Sequence, residues 1–395
     1  MNKVLVFLTT DFSGGGGSQY EQSILQGLLN LPAKEYELII LYVNEGWVQY
    51  LPMDRNCIKV YDSCYFVKML IKLLVAIKFP IRLIQYVLSR YHPVAHKIRS
   101  MNADINIVPY PESFWTYLTD APMLGVIHDL MHRYERRFPE VSSNGRYIYR
   151  DRHFNYVCIY SRGVLVDSEF GKKQLHESFL TPLNKIFVLP YIAPKYIYNN
   201  VCQSDINLKY SLPDKYIFYP AQFWLHKNHN RLIRAISLLV RDIPDIQLVC
   251  VGSYRNSYKN IMKLILSLGI VERVHLLGLV PNEDIFGLYK RARAMVMPTF
   301  FGPTNIPPLE AFVVGCPVGI SNVYGIPEQV GDAALLFDPN SVDEIANVVR
   351  TLWTDDDMCL RLARKGKENI QKWGQKEFDF RLLTIINTLI GTVNR

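Results

Sequence analysis

The stretch Met297-Pro298-Thr299-Phe300-Phe301-Gly302-Pro303-Thr304-Asn305-Ile306-Pro307-Pro308-Leu309-Glu310-Ala311 decides the fold of this chain. It leaves a short apolar strand, crosses a loop, and enters a helix at two prolines, where a missing amide proton costs no hydrogen bond. The amides before the helix and its dipole predict a diphosphate site around Pro303, Thr304, Asn305 and Ile306. Glu310 stands one turn further on, able to accept hydrogen bonds from two ribose hydroxyls. The alternative is a structural loop in which Glu310 only complements the helix dipole.

The same order of strand, loop and helix recurs along the chain in two series. A polar segment, 193–214, separates them and is predicted to be a linker. The predicted strands are 3–9, 36–43, 104–108, 123–127, 163–167 and 185–189, then 216–219, 246–251, 274–277, 294–297 and 317–321. The predicted helices are 20–30, then 228–240, 257–268, 282–292 and 307–314. Two such series predict an α/β protein with two doubly wound, Rossmann-like domains facing a central cleft.

Length and composition favour a globular protein of two or three domains. The chain has 395 residues, and 49% are hydrophobic, which favours packed cores over disorder. Its seven cysteines are scattered without a Cys-x-x-Cys pair, which indicates reduced thiols in the cytoplasm and disfavours a zinc site. The apolar run Val4–Leu8 is too short for a signal peptide, and no run is long enough for a spanning helix.

The positive charge is concentrated in one block. Net charge is +8, and seven Lys or Arg residues without an acid lie between Asp62 and Asp104. Projected as one helix, which Pro80 is expected to kink or divide, the segment places five of these cations within an arc of about 120°. They are Lys68, Lys72, Lys78, Arg82 and Arg90.

This pattern predicts that segment 65–99 lies on an anionic membrane surface. The alternative is a helix packed in its domain with solvated lysines. A nucleic-acid partner is not expected, because no recognisable binding module accompanies the charge.

The second half of the chain resembles the retaining glycosyltransferases of family 4, and the resemblance extends weakly over the whole chain. The matching residues are Leu288-Tyr289-Lys290, Ala294-Met295-Val296-Met297-Pro298, Pro308-Leu309-Glu310-Ala311, Gly315-Cys316-Pro317-Val318, Gly325-Ile326-Pro327-Glu328 and Gly331-Asp332-Ala333-Ala334. The resemblance implies a GT-B fold. Its N-terminal domain (1–200) would bind the acceptor and its C-terminal domain (201–372) the nucleotide-sugar. A final helix (373–395) would cross back to the first domain.

Two positions depart from the family pattern. Gly302 stands where the family has the first glutamate of a pair, and Thr304 or Asn305 is a candidate for the missing polar contact. Gln222 stands where the family has an arginine beside the diphosphate. Lys227 matches the second cation of that pair, and His226 is a candidate for the missing charge.

The resemblance also assigns residues of the first domain to the site. His128 follows strand 123–127 and would contact the donor sugar; considered without the resemblance, such a residue is more often a structural histidine. Asp129 is predicted to cap the next helix. Ser168 and Glu169 follow strand 163–167 at another position that the family places in the cleft.

Glycines mark two further loops. Gly15 and Gly16 lie in the run Gly14–Gly17, which would approach the donor phosphates or form a flexible lid; no Gly-Lys-Ser/Thr follows, so it is not a P-loop. Gly252 ends a strand facing the nucleotide. The run Asp355–Asp357 is predicted to cap a helix, and no metal site is expected.

The resemblance implies a retaining, metal-independent hexosyltransferase that uses His128, Lys227 and Glu310 and no separate cofactor. The donor would be a GDP-, UDP- or dTDP-linked hexose or deoxyhexose, with mannose or rhamnose favoured. The acceptor would be a lipid-linked saccharide of O-antigen or capsule synthesis, used at the inner face of the cytoplasmic membrane. The alternatives are a nucleotide-sugar epimerase of the same architecture and a non-catalytic nucleotide-sugar-binding partner.

Overall fold

The protein consists of two compact α/β units. The structure, a computed structural model, describes residues 1–10, 15–52, 55–60, 65–119, 121–198 and 206–391. Unit 1 comprises Met1–Tyr191 and Gln375–Arg395, and unit 2 comprises Ile192–Gly374. The division therefore falls after residues 191 and 374, where the sequence had suggested 200 and 372.

Unit 1 is built on a parallel sheet of seven strands among its described residues. The strands are β1 (Asn2–Leu8), β2 (Tyr36–Tyr42), β3 (Asn56–Lys59), β4 (Ile105–Val108), β5 (Met123–Val126), β6 (Gly163–Val166) and β7 (Ile186–Val188). Their spatial order is β3-β2-β1-β4-β5-β6-β7. The helices are α1 (Gly16–Leu29), α2 (Tyr65–Ala76), α3 (Ile81–Tyr91), α4 (Pro93–Ser100), α5 (Met131–Tyr134), α6 (Pro139–Ser142), α7 (Arg146–Tyr160) and α8 (Glu169–Phe179).

Unit 2 has a parallel sheet of six strands in its described part. They are β8 (Ile217–Pro220), β9 (Leu248–Val251), β10 (Val274–Gly278), β11 (Ala294–Met297), β12 (Val318–Ser321) and β13 (Ala334–Phe337), in the order β10-β9-β8-β11-β12-β13. Its helices are α9 (Ile206–Tyr210), α10 (His229–Leu239), α11 (Tyr258–Ser267), α12 (Asn282–Arg291), α13 (Pro307–Val314), α14 (Ile326–Val330), α15 (Val342–Thr354) and α16 (Asp356–Lys372).

The last helix, α17 (Gln375–Gly391), belongs to unit 1 and packs against α1. The contact is close because α1 has Gly27 at the crossing: a Cβ there would lie 2.9 Å from Leu382 Cδ2. The buried strand β1, apolar from Val4 to Leu8, is covered on both faces, as is usual for a parallel sheet.

Each sheet has one point where the chain reverses its direction of winding. In unit 1 the chain winds outward from β1 through β2 to β3, and from β4 in the other direction, so the reversal lies between β1 and β4. In unit 2 the corresponding neighbours are β8 and β11. Ligands of doubly wound sheets bind outside the carboxyl ends of the strands at this point. Ligand-binding sites are therefore expected in the loops after β1, β4, β8 and β11.

The sequence located the central strands to within about two residues, and it missed β3 and β13. Both are edge strands of four residues. Of the predicted linker 193–214, the described part holds the 3₁₀ helix Lys195–Tyr198 and α9.

The basic block is not one kinked helix. It forms three helices, α2, α3 and α4, since the chain turns at Lys78, whose φ is 64°, and Pro80 precedes α3. The predicted single arc of five cations was therefore wrong. Within the described ranges, no helix has the length and hydropathy needed to cross a bilayer.

Candidate functional site

In unit 2, the loops after β8 and β11 bring Lys227 and Asn305 together. Lys227 ends the 3₁₀ turn Leu225–Lys227, and its Nζ donates to Asn305 Oδ1 at 3.3 Å. The Tyr219 hydroxyl donates to the backbone carbonyl of Lys227 at 2.7 Å and fixes the turn. The neighbouring His226 ring stacks on Phe301, with ring centroids 3.9 Å apart. An ammonium group thus stands beside the loop that precedes α13.

Asn305 also explains why residue 302 is a glycine. Gly302 has φ 114°, and a Cβ added there would lie 2.9 Å from Asn305 Oδ1. The Asn305 backbone is held on both sides by Gln329, which accepts from its amide at 2.9 Å and donates to its carbonyl at 2.7 Å. The side-chain amide of Asn305 therefore occupies the space that a side chain at position 302 would need. Gln329 was not predicted, because nothing in its local sequence distinguishes it.

Glu310 lies in the first turn of α13 and is only 4% exposed. The hydroxyl of Tyr289 donates to its Oε2 at 2.8 Å, and the hydroxyl of Tyr196 donates to its Oε1. Burial raises the pKa of Glu310, and these two hydrogen bonds oppose the rise. Each carboxylate oxygen still has a second lone pair with which to accept a hydroxyl. The sequence predicted Glu310 but neither tyrosine as its partner, since both contacts depend on the tertiary fold.

Gln222 and Gly252 have structural roles in unit 2. The Gln222 side chain accepts a hydrogen bond from Trp224 Nε1 at 2.8 Å. Gly252 has φ 147°, and a Cβ there would lie 2.3 Å from the Ala221 carbonyl oxygen. The loops after β8 and β9 can therefore touch only with glycine at 252. Next to the helix, Pro303, Thr304 and Ile306 are buried.

In unit 1, His128 follows β5 and belongs to an aromatic cluster. Its Nδ1 lies 2.9 Å from the Tyr191 hydroxyl, and Tyr20 meets its ring edge-on at a centroid distance of 4.8 Å. Its Nε2 has no hydrogen-bond partner among the described residues. Burial lowers the pKa of His128 to about 4, so the imidazole is neutral at pH 7.

The other residues assigned to the first domain have partners of their own. Asp129 Oδ1 accepts from the Met131 amide at 2.9 Å and from Arg150 at 3.0 Å. The N-cap of α5 is Leu130, so the prediction placed the cap one residue too early. Burial is the largest single effect and raises the pKa of Asp129, but Arg150, the Met131 amide and two neighbouring histidines together outweigh it, and the net shift is downward. Ser168 caps α8 by accepting from the Gly171 amide at 3.0 Å, and Glu169 stands in the first turn of that helix.

Of the glycine loop, Gly15 has φ 70° just before α1, and Gly16 opens the helix. Gly14 lies outside the described residues. Gly17 faces the ring of Tyr110 at 3.8 Å from its would-be Cβ. The loop therefore adjoins the segment that follows β4.

A pocket that the sequence did not predict lies in unit 1 between α2 and the loops after β1 and β4. Its volume is about 180 Å³. The lining residues are Thr9, Lys68, Ile71, Lys72, Tyr110, Glu112, Ser113, Phe114, Trp115 and Tyr149. They come from four segments far apart in the chain, so no local pattern could have indicated the pocket.

A buried carboxyl lies close to this pocket. Glu21, on α1, is fully buried, and its Oε2 accepts from the Thr10 amide and hydroxyl at 3.2 and 2.6 Å. Its Oε1 has no hydrogen-bond partner within the described part of the chain. Burial raises the pKa of Glu21 to about 7.

The run Asp355–Asp357 caps a helix, as predicted. Asp355 Oδ1 accepts from the Met358 amide at 2.8 Å at the start of α16. Among the described residues, no group of three or more His, Cys, Asp or Glu side chains is arranged to hold a metal ion.

The geometry of unit 2 agrees with the family that its sequence matches. Residues 205–369 match the family model of the glycosyl transferases group 1, and they contain Lys227, Asn305 and Glu310. This part of the chain is similar to the glycosyl transferases of group 1. The predicted resemblance to the glycosyltransferases is thereby confirmed.

A curated relative extends the similarity. The chain is 30% identical over 231 residues to the O-antigen chain mannosyltransferase B of Escherichia coli, covering 57% of this chain and 61% of the relative. It matches 18% of the length of the serotype-specific mannosyltransferase WbdA of the same species, at 31% identity and over 38% of this chain. The chain therefore spans less than two thirds of these relatives.

Solved structures confirm the fold class. A glycosyltransferase from Rickettsia africae is similar with a TM-score of 0.71 and 17% identity, over 98% of each chain. Anabaena HepE, solved in complex with UDP and glucose, gives a TM-score of 0.74 and 15% identity, over 98% of this chain and 100% of that one. At these identities the likeness establishes the GT-B type of α/β fold and nothing further.

Proposed function

We propose that the protein transfers a hexosyl or deoxyhexosyl unit from a nucleotide-sugar to a lipid-linked saccharide, with retention of anomeric configuration and without a metal. The observation that carries the proposal is the arrangement in unit 2. Lys227 and Asn305 meet on the loops after β8 and β11, and the buried Glu310 follows in the first turn of α13. All three lie within residues 205–369, which match the glycosyl transferase family model. The loops after β8 and β11 lie at the end of the sheet at which doubly wound domains bind nucleotides.

The donor's diphosphate is assigned to the amides that precede α13 and to Lys227. Backbone amides at a helix start and an ammonium group both favour a double negative charge. Glu310 accepts hydrogen bonds from the ribose hydroxyls in this proposal, through the carboxylate lone pairs that Tyr196 and Tyr289 do not use. Asn305 replaces the family's first glutamate with a neutral amide that can both donate to and accept from a sugar hydroxyl.

Stabilisation of the departing nucleotide diphosphate is the main catalytic effect in this proposal. Fixed donors aimed at developing charge typically contribute a factor of about 10²–10³ each. In this proposal His128 contacts the donor sugar. The Tyr191 hydroxyl, donating to Nδ1, would leave the imidazole proton on Nε2, the atom without a partner among the described residues. The leaving phosphate would accept the acceptor's proton, so no separate general base is assigned.

A mannosyl donor is favoured because the curated relatives are named as mannosyltransferases. The nucleotide is tested by thermal shift and by hydrolysis with GDP-mannose, UDP-glucose and dTDP-rhamnose. We expect one of them to raise the melting temperature in the wild type and not in Lys227→Gln. The matched control is Lys263→Gln, an exposed lysine on α11. If no nucleotide-sugar bound, or if Lys227→Gln bound it equally well, the donor site would be refuted.

The products distinguish the proposed activity from the two alternatives. A retaining transferase gives a saccharide whose new bond has the donor's anomeric configuration, which proton NMR coupling constants report. An isomerised sugar formed without any acceptor would instead indicate an epimerase. Binding without turnover in the presence of lipid-linked acceptors would indicate a non-catalytic partner.

The membrane is proposed as the location of the acceptor. Exposed apolar side chains are concentrated on α2, on α3 and in the turn between them, among the cations of the basic block. Phe66 on α2 is 69% exposed, and Ile77, just after α2, is 63% exposed. Such a surface suits an anionic bilayer. We expect sedimentation with vesicles containing phosphatidylglycerol, weakened by salt and by Phe66→Ser/Ile77→Ser. Equal sedimentation with and without the anionic lipid would contradict this location.

A further inference from the structure

The backbone of Asn305 is held more tightly than its side chain. Its amide donates to Gln329 Oε1 at 2.9 Å, and its carbonyl accepts from Gln329 Nε2 at 2.7 Å. The side-chain hydrogen bonds are longer: Lys227 Nζ donates to Oδ1 at 3.3 Å, and Nδ2 donates to the Gly302 carbonyl at 3.4 Å. Most N–H···O hydrogen bonds are about 2.9–3.0 Å long. The side-chain amide is therefore the part of Asn305 that can exchange its partners for those of a ligand.

Gln329 holds Asn305 from a fixed position. It lies on α14, where its own amide donates to the Gly325 carbonyl at 3.0 Å, and the neighbouring Ile326 and Val330 are fully buried. The orientation of its carboxamide is fixed as well, because the reverse orientation would place the NH2 group against an amide proton and the oxygen against a carbonyl. The two bonds from Gln329 therefore form a clamp on the Asn305 backbone.

The side-chain amide of Asn305 stands next to the cation assigned to the donor's diphosphate. Lys227 binds the diphosphate in the proposed function, and Lys227 Nζ is hydrogen-bonded to Asn305 Oδ1. The sugar is covalently attached to that diphosphate, so its nearest hydroxyls come within reach of a group beside Lys227. In Asn305, Oδ1 has a second lone pair and Nδ2 a second proton with which to bind a hydroxyl. In the proposed function the Asn305 amide therefore binds the sugar end of the donor.

We propose that Gln329 is a positioning residue for recognition of the donor sugar. Its clamp sets the place from which the Asn305 side-chain amide reaches the sugar hydroxyls, so Gln329 acts through Asn305. The clamp already uses the Asn305 amide proton, and the diphosphate therefore depends on Lys227 and the other amides before α13. This inference rests on the proposed transferase function, and it names a residue that controls how the sugar, as opposed to the nucleotide, is bound.

The test compares a sugar nucleotide with its own nucleoside diphosphate by calorimetric titration. The pairs are GDP-mannose and GDP, UDP-glucose and UDP, and dTDP-rhamnose and dTDP. For the pair that the wild type binds, Gln329→Met should weaken binding of the sugar nucleotide at least fivefold, about the contribution of one neutral hydrogen bond, and binding of the diphosphate less than twofold. Equal weakening of both, or of neither, would overturn the proposal, because a purely structural role does not distinguish them.

A double variant separates positioning from stability. The bonds from Gln329 go to the backbone of Asn305, so Asn305→Ala keeps the clamp and removes the amide that the clamp positions. In the Asn305→Ala protein, Gln329→Met should still lower the melting temperature, but it should weaken binding of the sugar nucleotide no more than binding of the diphosphate. If the selective fivefold loss persisted without the Asn305 amide, Gln329 would act by another route and the proposal would be wrong.

A matched control makes the same substitution at an exposed glutamine of unit 2. Gln371 lies on α16, and Gln371→Met should leave both affinities at the wild-type values. If Gln371→Met produced the same selective loss, the effect would not belong to the clamp and the proposal would fall. Gln329→Leu repeats the comparison if Gln329→Met does not fold.

The same titrations separate failure of this inference from failure of the transferase proposal. If the wild type binds none of the three sugar nucleotides, the transferase proposal and this inference fall together. If the wild type binds one of them, and Gln329→Met weakens that sugar nucleotide and its diphosphate equally, the donor site stands and only the role of Gln329 is overturned. Selective weakening of the sugar nucleotide supports both.

Discussion

Replacing Glu21 by glutamine should stabilise unit 1 at alkaline pH and hardly at all at acid pH. The Glu21 side chain is fully buried, and burial raises its pKa from the ordinary 4.5 to about 7. Glutamine has the same shape, and its amide oxygen can accept the two hydrogen bonds from Thr10. The variant therefore removes a buried charge while keeping the contacts.

The sign follows from which state binds the proton. Below pH 4.5 both folded and unfolded chains carry it, and Glu21 then has no effect on stability through ionisation. Between pH 4.5 and 7 the unfolded chain releases the proton while the folded protein keeps it, so stability falls as the pH rises. Above pH 7 the loss is complete, and 2.5 pKa units at 1.36 kcal/mol each amount to about 3 kcal/mol. At pH 5 the same calculation gives about 1 kcal/mol.

Hydrogen exchange of the β1 amides measures this free energy within unit 1. We expect Glu21→Gln to slow exchange, relative to wild type, by about a hundredfold at pH 8 and only a few-fold at pH 5. The ratio of variant to wild type cancels the intrinsic pH dependence of exchange. Glu177→Gln, which removes an exposed carboxylate from α8, should show no comparable gain. Equal slowing at both pH values, or faster exchange of Glu21→Gln at pH 8, would refute the reasoning.

Three further predictions concern the candidate site. Glu310→Gln should weaken nucleotide binding at least tenfold, because a ribose hydroxyl loses a charged acceptor. Tyr196→Phe should weaken nucleotide binding less than threefold. Calorimetric titration with GDP and UDP measures both effects, and equal affinity of Glu310→Gln and the wild type would contradict the ribose role. Gly302→Glu should destabilise unit 2 by about 1–3 kcal/mol, since a side chain at that positive φ is strained and meets Asn305. The double variant Gly302→Glu/Asn305→Ala should regain part of the lost free energy of unfolding, measured by urea denaturation. If it regained none, the clash with Asn305 would not be the cause. His128→Gln should lower the transfer rate about a hundredfold at pH 7. Because the pKa of His128 is about 4, the wild-type transfer rate should not fall as the pH is lowered through 6.5. A fall in the wild-type rate near pH 6.5 that is absent from His128→Gln would contradict the neutral imidazole.

Local sequence was sufficient for the central strands and for the loop before α13. Parallel strands are buried on both faces and appear as short apolar runs, so Val4–Leu8 and Ala294–Met297 were recognisable. The loop at 302–306 was recognisable from its Gly, Pro, Thr and Asn composition followed by two prolines. The same information failed for the edge strands β3 and β13. β3 (Asn56–Lys59) is polar at both ends and resembles a loop. β13 (Ala334–Phe337) is a short apolar run that is only partly buried at the edge, and it was overlooked between two predicted helical regions.

The basic block shows the limit of a helical projection. Its sequence established the charge and the amphipathic character, and Pro80 indicated a division. A projection of the whole segment as one helix nevertheless placed five cations on one arc that three separate helices do not form. The turn at Lys78, in the left-handed region, depends on how α2 and α3 pack on unit 1.

By itself, the sequence determined the two α/β series, the similarity of residues 205–369 to the glycosyl transferases and the position of Glu310 at the start of a helix. These depend on residues close together in the chain. Only the tertiary structure decided that Tyr196 and Tyr289 bind Glu310, that Asn305 fills the space beside Gly302, and that α2 roofs a pocket. The Tyr196 contact joins residues 114 positions apart. Such contacts arise when strands and helices assemble around a core, and no local pattern of residues encodes them.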